Sequence, residues 1–270
     1  MEYVTAGDVR IPALGLGTYQ LRGQACTDTV HTALELGYRH VDTAEYYDNQ
    51  AAIGRALEAT DVPREEVFLT TKIWRTNLAY EDALRSARES VAKLGVETVD
   101  LLLIHWPSRS VPTKETVRAM NELQAEGLVH HIGVSNFSVA QLEEAVDASE
   151  TPIVANQVEY HPYEAQQDLL EFCIEEDVIL TAYSPLAKGR VADDEVLQRI
   201  GERYDKSAAQ VALRWLVQQE QVAAIPKASS RDHLRANLDV FDFTLGDDEM
   251  ERVFELQGGL LARLRSLLGL

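Results

Sequence analysis

Apolar residues in this chain follow two alternating patterns. Short, nearly continuous runs, such as Val99-Asp100-Leu101-Leu102-Leu103-Ile104 with its single polar break, alternate with stretches where apolar side chains recur every three or four positions. A run without an alternating polar face is a strand covered on both sides, and a 3.6-residue period is a helix with one buried stripe. Strands are therefore predicted over 13–17, 39–42, 67–72, 99–104, 128–134, 153–158, 178–182 and 222–225. Helices are predicted over 26–36, 50–59, 112–126, 193–204 and 207–218. A further helix, with Ala83, Ala87, Ser90, Val91 and Leu94 facing inward, ends at Gly95. Gly127 stops the 112–126 helix, while Ser138 and Ser207 are candidate caps for the helices after them. Ahead of the first strand, residues 4–9 form a hairpin turning at Gly7-Asp8, placed to plug the bottom of a barrel.

Eight strands in alternation with helices predict an α/β fold, a (β/α)8 TIM barrel with an N-terminal hairpin and extra helices, in a single domain over 1–270. The rival is a doubly wound open sheet, which for a nucleotide would usually carry a Gly-rich turn after its first strand; Gly15-Leu16-Gly17-Thr18 lacks the third glycine. In a barrel the C-terminal strand ends share one rim. The apolar runs stop at polar residues there: Asp42, Lys72, His105, Ser135-Asn136, Gln157, Tyr183 and Lys227.

Composition narrows the setting. With 44 acidic against 25 basic residues the formal net charge is −19, spread along the chain, a surface that repels nucleic acid and anionic membranes. Lysine is sparse beside arginine, and such carboxylate repulsion is relieved where salt shortens the Debye length to roughly 3 Å at 1 M. A halophilic cytoplasm is the expectation. Cys26 and Cys173 sit in helix-like segments without paired or metal-ligand spacing, as in a reduced cytoplasm. The start, Met1-Glu2-Tyr3-Val4, lacks the basic and apolar regions of a cleaved export signal, and no stretch approaches the length of a membrane span.

Asp42 ends one strand, Tyr47 follows in the next loop, and Lys72 and His105 end the next two strands. A buried ammonium beside a phenol favours the phenolate, so Lys72 is expected to lower the Tyr47 pKa and make it a usable general acid. Asp42 would keep Lys72 charged, and His105 would hold a substrate oxygen in line with the phenol. Together these deliver a proton to oxygen while hydride reaches carbon, which is carbonyl reduction. Taken singly, each has a plainer reading: a strand-ending Asp as a helix cap, Lys72 or His105 as structural. Tyr46 is read as packing.

Gly37-Tyr38-Arg39-His40-Val41-Asp42-Thr43-Ala44, Leu102-Leu103-Ile104-His105-Trp106-Pro107, Gly133-Val134-Ser135-Asn136-Phe137, Asn156-Gln157-Val158-Glu159-Tyr160-His161-Pro162 and Ala182-Tyr183-Ser184-Pro185-Leu186 resemble the aldo-keto reductases in order and spacing, over about residues 11 to 243. Small prokaryotic aldehyde and diketogluconate-reductase-like members are nearest in length. The resemblance implies Tyr47 as proton donor with Asp42, Lys72 and His105 supporting it. It also implies Thr18, Ser135, Asn136 and Gln157 at the nicotinamide, Tyr183 stacked on its ring, and Ser184 and Leu186 along the pyrophosphate. Lys227, Ser229, Arg231, His233 and Asn237 would grip the adenosine end. NADPH is favoured through Lys227, with NADH as the other choice, because His233 stands where NADPH-preferring relatives usually have Arg. Arg231 is the candidate to compensate.

Tyr19, Trp74 and Trp106 would wall the substrate pocket for a small-molecule carbonyl. Gln50 replaces a usual Glu, with little effect expected. His130-His131 is read as structural, and no metal is assigned. Leu260, Leu261, Leu264, Leu267 and Leu268 have the spacing of a short helix packed on the barrel. A monomer is the family default. The competing functions are a cofactor-binding redox-sensor module like the potassium-channel β-subunits, and a lyase using Lys72 as a Schiff base.

Overall fold

The computed structural model describes residues 2–257. Gly7, at φ +55°, turns β1 (Tyr3–Ala6) back on β2 (Val9–Pro12) in an antiparallel pair. Eight parallel strands follow in sequence order: β3 (Leu16–Gly17), β4 (His40–Asp42), β5 (Phe68–Ile73), β6 (Val99–Ile104), β7 (Val129–Ser135), β8 (Ile153–Glu159), β9 (Ile179–Tyr183) and β10 (Val222–Ala224). Last meets first. The Gly15 amide donates to the Ala224 carbonyl at 2.8 Å, the Ala224 amide to the Ala13 carbonyl at 2.8 Å, and the Gly17 amide to the Pro226 carbonyl at 3.1 Å. The sheet thus closes into a (β/α)8 barrel, with the N-terminal hairpin as expected.

The apolar runs are explained by their two faces. Leu102 and Ile104 of β6 join the layer between barrel and helices, whereas Leu101 and Leu103 point inward with Val154, Ala155, Ile179 and Ala223. Ala6 and Ile11 of the hairpin belong to this inner cluster, and the Gly7 amide donates to the Asp177 carboxylate, just ahead of β9, at 2.6 Å. The hairpin therefore plugs the end opposite the rim, removing inner apolar surface from water.

Helices α1 (Gly23–Leu36), α2 (Gln50–Ala59), α3 (Tyr80–Leu94), α4 (Thr113–Ala125), α5 (Val139–Ala148), α6 (Gln167–Glu175), α7 (Glu195–Glu202), α8 (Ala208–Val217), α9 (Arg231–Leu238) and α10 (Asp247–Glu255) cover the barrel. Ser138 and Ser207 cap α5 and α8 in reciprocal boxes with Gln141 and Gln210, and Gly95 ends α3 at φ +66°. Three helices escape the periodicity. α6 buries only Leu169 and Cys173, α9 only Leu234 and Asn237, and α10 buries Val253 with the carboxylate of Glu249. Glu249 accepts from Arg203 at 2.8 Å and Tyr204 at 2.5 Å, so a polar anchor replaces the expected apolar stripe. None of the described helices is long and apolar enough to cross a membrane. The leucine-rich stretch over 260–268 lies outside the described residues.

The closing seam tolerates little. A Cβ on Gly17 would sit 2.6 Å from the Ile225 carbonyl oxygen, a backbone atom that yields only if the β3–β10 seam opens. Gly17→Ala is expected to destabilise the protein by about 1–3 kcal/mol, read as a lower urea midpoint. An unchanged midpoint would show the seam to be slack.

Candidate active site

β4 ends at Asp42, and a 3-10 turn over Glu45–Tyr47 follows; β5 carries Lys72, and His105 comes directly after β6. These four side chains converge. The Lys72 ammonium donates to Asp42 Oδ1 at 2.6 Å, to the Thr43 carbonyl at 2.9 Å and to Tyr47 Oη at 3.4 Å, so each of its protons has an acceptor. The second Asp42 oxygen accepts from Gln157 Nε2 at 2.8 Å. Both members of the ion pair are fully buried, where an unpaired charge would be costly.

Burial opposes the Lys72 charge, but Asp42 and Tyr47 outweigh it and its pKa is raised. For Tyr47 the balance differs from expectation. Desolvation of the phenolate raises its pKa above the usual tyrosine value, and the attraction of Lys72 offsets this only in part. Lys72 thus moderates an upward shift and does not produce a net lowering. Burial first and Lys72 second push His105 down to about 3, leaving a neutral imidazole at physiological pH. Its Nδ1 is buried without a protein partner. The ring stands edge-on to Trp74 and Tyr47, with centroids at 5.0 and 5.6 Å.

These groups open into a cleft of about 810 Å³, a size suited to a cofactor or small ligand. Tyr19, Tyr46, Trp74, His105 and Trp106 line it, and so do Tyr183, Ser184, Leu186, Lys188 and Lys227. Tyr19 and Trp106 are partly exposed on its walls. Tyr46, read as packing, does stack on Trp74 at 4.0 Å with a 16° interplanar angle, but it is also 52% exposed and lines the cleft. A 3-10 turn advances about 120° per residue, so Tyr46 and Tyr47 point to different parts of one cleft. Position in a strand-following loop was the available signal. The neighbouring Glu45 accepts from the Trp74 amide at 2.9 Å and Ser86 Oγ at 2.7 Å, and also from Asn77, fixing the loop that bears Trp74.

Ser135, Asn136, Gln157 and Tyr183 form one network on the wall. Ser135 Oγ donates to the Gln157 carbonyl at 2.8 Å, and Asn136 Nδ2 donates to the His105 carbonyl at 2.9 Å. Asn136 adopts φ +63°, a conformation that asparagine tolerates, and its Oδ1 accepts the Tyr183 hydroxyl at 2.9 Å. The Tyr183 ring is thereby held against the cleft. Thr18 is fully buried beside the cleft-lining Gly17, its hydroxyl donating to the Asp42 carbonyl at 2.8 Å. Gln50 is buried, donating to Thr71 Oγ1 at 2.8 Å.

The adenosine-end residues are not all brought together. Lys227 lines the cleft, whereas Ser229, Arg231, His233 and Asn237 do not. Ser229 and His233 are exposed, and Asn237 is buried in α9. Arg231 Nη1 is held by Glu35 Oε2 of α1 at 3.0 Å. Lys188, which pattern reading passed over, joins Lys227 on the cleft wall. It follows Ala187 in a turn of positive φ, +47° and +57°, shortly after β9. Among the described residues no cluster could hold a metal, and His130 lies 3.5 Å from an Asp100 oxygen on the side opposite the rim.

A model of the Aldo/keto reductase family matches residues 13–257. The chain is 39% identical over 246 residues to the glyoxal reductase of Bacillus subtilis (strain 168), covering 91% of this chain and 88% of that protein. It superposes on the crystal structure of a provisionally assigned 2,5-diketo-D-gluconic acid reductase B with a TM-score of 0.93 and 45% identity, over 95% of this chain and 91% of that one. A Gox0644 variant in complex with NADPH matches with a TM-score of 0.87 and 37% identity, over 94% of this chain and 93% of that one.

Proposed function

Because this chain belongs to the aldo/keto reductase family and is an NAD(P)H-dependent reductase of carbonyls, we propose that Tyr47 is its proton donor, with Lys72, Asp42 and His105 supporting that role. The observation that carries this reading is the Lys72 ammonium, bonded at once to Asp42 and to the Tyr47 oxygen. The residues present fit a nicotinamide dinucleotide: a ring presented by Tyr183 with its hydroxyl tied back, and two ammonium groups, Lys188 and Lys227, farther along the cleft. When bound, the cofactor supplies the hydride.

Neutral His105 orients the carbonyl oxygen toward Tyr47. Tyr47 passes its proton to that oxygen as negative charge builds there, while Lys72, already donating to Tyr47 Oη, stabilises the phenolate left behind. Asp42 and Gln157 hold Lys72 in place. Ser135, Asn136 and Gln157 would meet the nicotinamide amide, and Ser184 and Leu186 the pyrophosphate. Tyr19, Tyr46, Trp74 and Trp106 would flank the substrate. Thr18 is better suited to bracing Asp42. Lys227 favours NADPH over NADH, since an exposed ammonium meets a 2′-phosphate as a point charge.

We assign the substrates to aldehydes, ketoacids or keto-sugars, reduced to alcohols. The four converging polar groups weigh against a cofactor-binding sensor. A Schiff-base lyase is disfavoured because Lys72, ion-paired and with its pKa raised, is a poor nucleophile. The test follows cofactor oxidation with a panel of aldehydes, NADPH against NADH, from pH 5 to 10. Turnover with NADPH preferred is expected. The profile should be flat between pH 5 and 8, since His105 stays neutral there, and should not break below the ordinary tyrosine pKa of about 10, because burial keeps Tyr47 protonated past it. An inflection near neutrality that disappears in His105→Gln would overturn the neutral-imidazole role.

The charge of −19 is the basis for proposing a protein of a saline cytoplasm, while a monomer is proposed as the family default and a single domain from a chain without a linker or a shift in composition. Its thermal midpoint is expected to rise from low to molar salt, and a midpoint indifferent to salt would remove that reading.

A further inference from the structure

Glu35 stands in the last turn of α1, where the helix dipole disfavours a carboxylate. Its Oε2 lies 3.0 Å from Arg231 Nη1 at the start of α9, and its Oε1 lies 3.8 Å from His31 Nδ1. Arg231 follows Lys227 by four residues, so their Cα atoms are at most about 14 Å apart. A phosphate set between them falls within reach of both long side chains. Lys227 faces the cleft, while Arg231 is turned aside onto Glu35.

We propose that Glu35 tunes the choice between 2′-phosphorylated and unphosphorylated adenosine cofactors by holding Arg231 in competition with the 2′-phosphate. This rests on the reading that Lys227 marks the adenosine end. Glu35 acts twice in the same direction, engaging the guanidinium and adding a negative charge near the phosphate. Both partners are about half exposed, so the pair is weak and readily exchanged for a doubly charged phosphate. Salt screens both effects, so Glu35 matters most at low ionic strength.

The test is calorimetric binding of 2′,5′-ADP and of 5′-ADP to the full chain at low salt, in wild type, Glu35→Gln, Arg231→Ala, the double variant and Lys227→Ala. Glu35→Gln is expected to tighten 2′,5′-ADP about two- to five-fold and leave 5′-ADP unchanged. With Arg231→Ala in place, the Glu35 substitution should keep only the part of that gain that comes from its charge and lose the part that comes from releasing the guanidinium. If Lys227→Ala weakens 2′,5′-ADP but Glu35→Gln does not alter it, or alters both nucleotides equally, the role of Glu35 is overturned and the cofactor reading survives. If Lys227→Ala also leaves 2′,5′-ADP binding untouched, the assignment of the adenosine end falls with it.

Discussion

Tyr47→Phe is expected to lower kcat by about 10²- to 10⁴-fold with cofactor affinity retained. The substitution removes one hydroxyl and keeps the ring that packs against Tyr19 and His105, with centroids at 5.1 and 5.6 Å. The loss corresponds to about 3–5 kcal/mol of transition-state stabilisation. It should fall on kcat, because Lys72 retains its bonds to Asp42 and the Thr43 carbonyl. Single-turnover reduction with bound cofactor, beside a fluorescence titration of cofactor, separates the two quantities. Near-normal turnover would assign the proton to another donor.

Asp42→Ala is expected to cost about 3–5 kcal/mol of stability at neutral pH, because it leaves the fully buried Lys72 ammonium without its counter-charge. It also strands the Gln157 amide that donates to Asp42 Oδ2. Because the folded-state pKa of Lys72 is raised, the pair's contribution is complete below the ordinary lysine pKa of about 10.4 and is lost as pH rises through the folded value. The gap between wild type and variant should thus be flat from pH 6 to 9 and close only in stronger alkali. Urea unfolding across that range measures it. A gap that opened with rising pH would mean that Lys72 is neutral in the fold.

Much of this site was legible in the sequence because its chemistry is concentrated at strand ends. The runs ending at Asp42, Lys72 and His105 mark neighbouring positions on one rim, and parallel closure from β3 to β10 brings them together. Tyr47 was legible for the same reason, lying one short turn beyond β4. Helices with broad apolar faces were equally plain. α6, α9 and α10 were not, since each buries two residues and one of those in α10 is the carboxylate of Glu249.

What the sequence by itself determined is the barrel, its plug, the identity of the groups at its rim and, through ordered motifs, the class of reaction. Periodicity is a local property, and local spacing suffices to decide which face of a strand or helix is apolar. Only the tertiary structure decided the balance of charge and exposure: that burial outweighs Lys72 in setting Tyr47, that Thr18 turns inward beneath Asp42, that Tyr46 faces the cleft and that Arg231 rests on Glu35. Desolvation and pairing depend on atoms that the chain brings from far away, with Gln157 lying 115 residues from Asp42 and Arg231 lying 196 from Glu35. No local pattern along the chain records which of those distant groups will arrive.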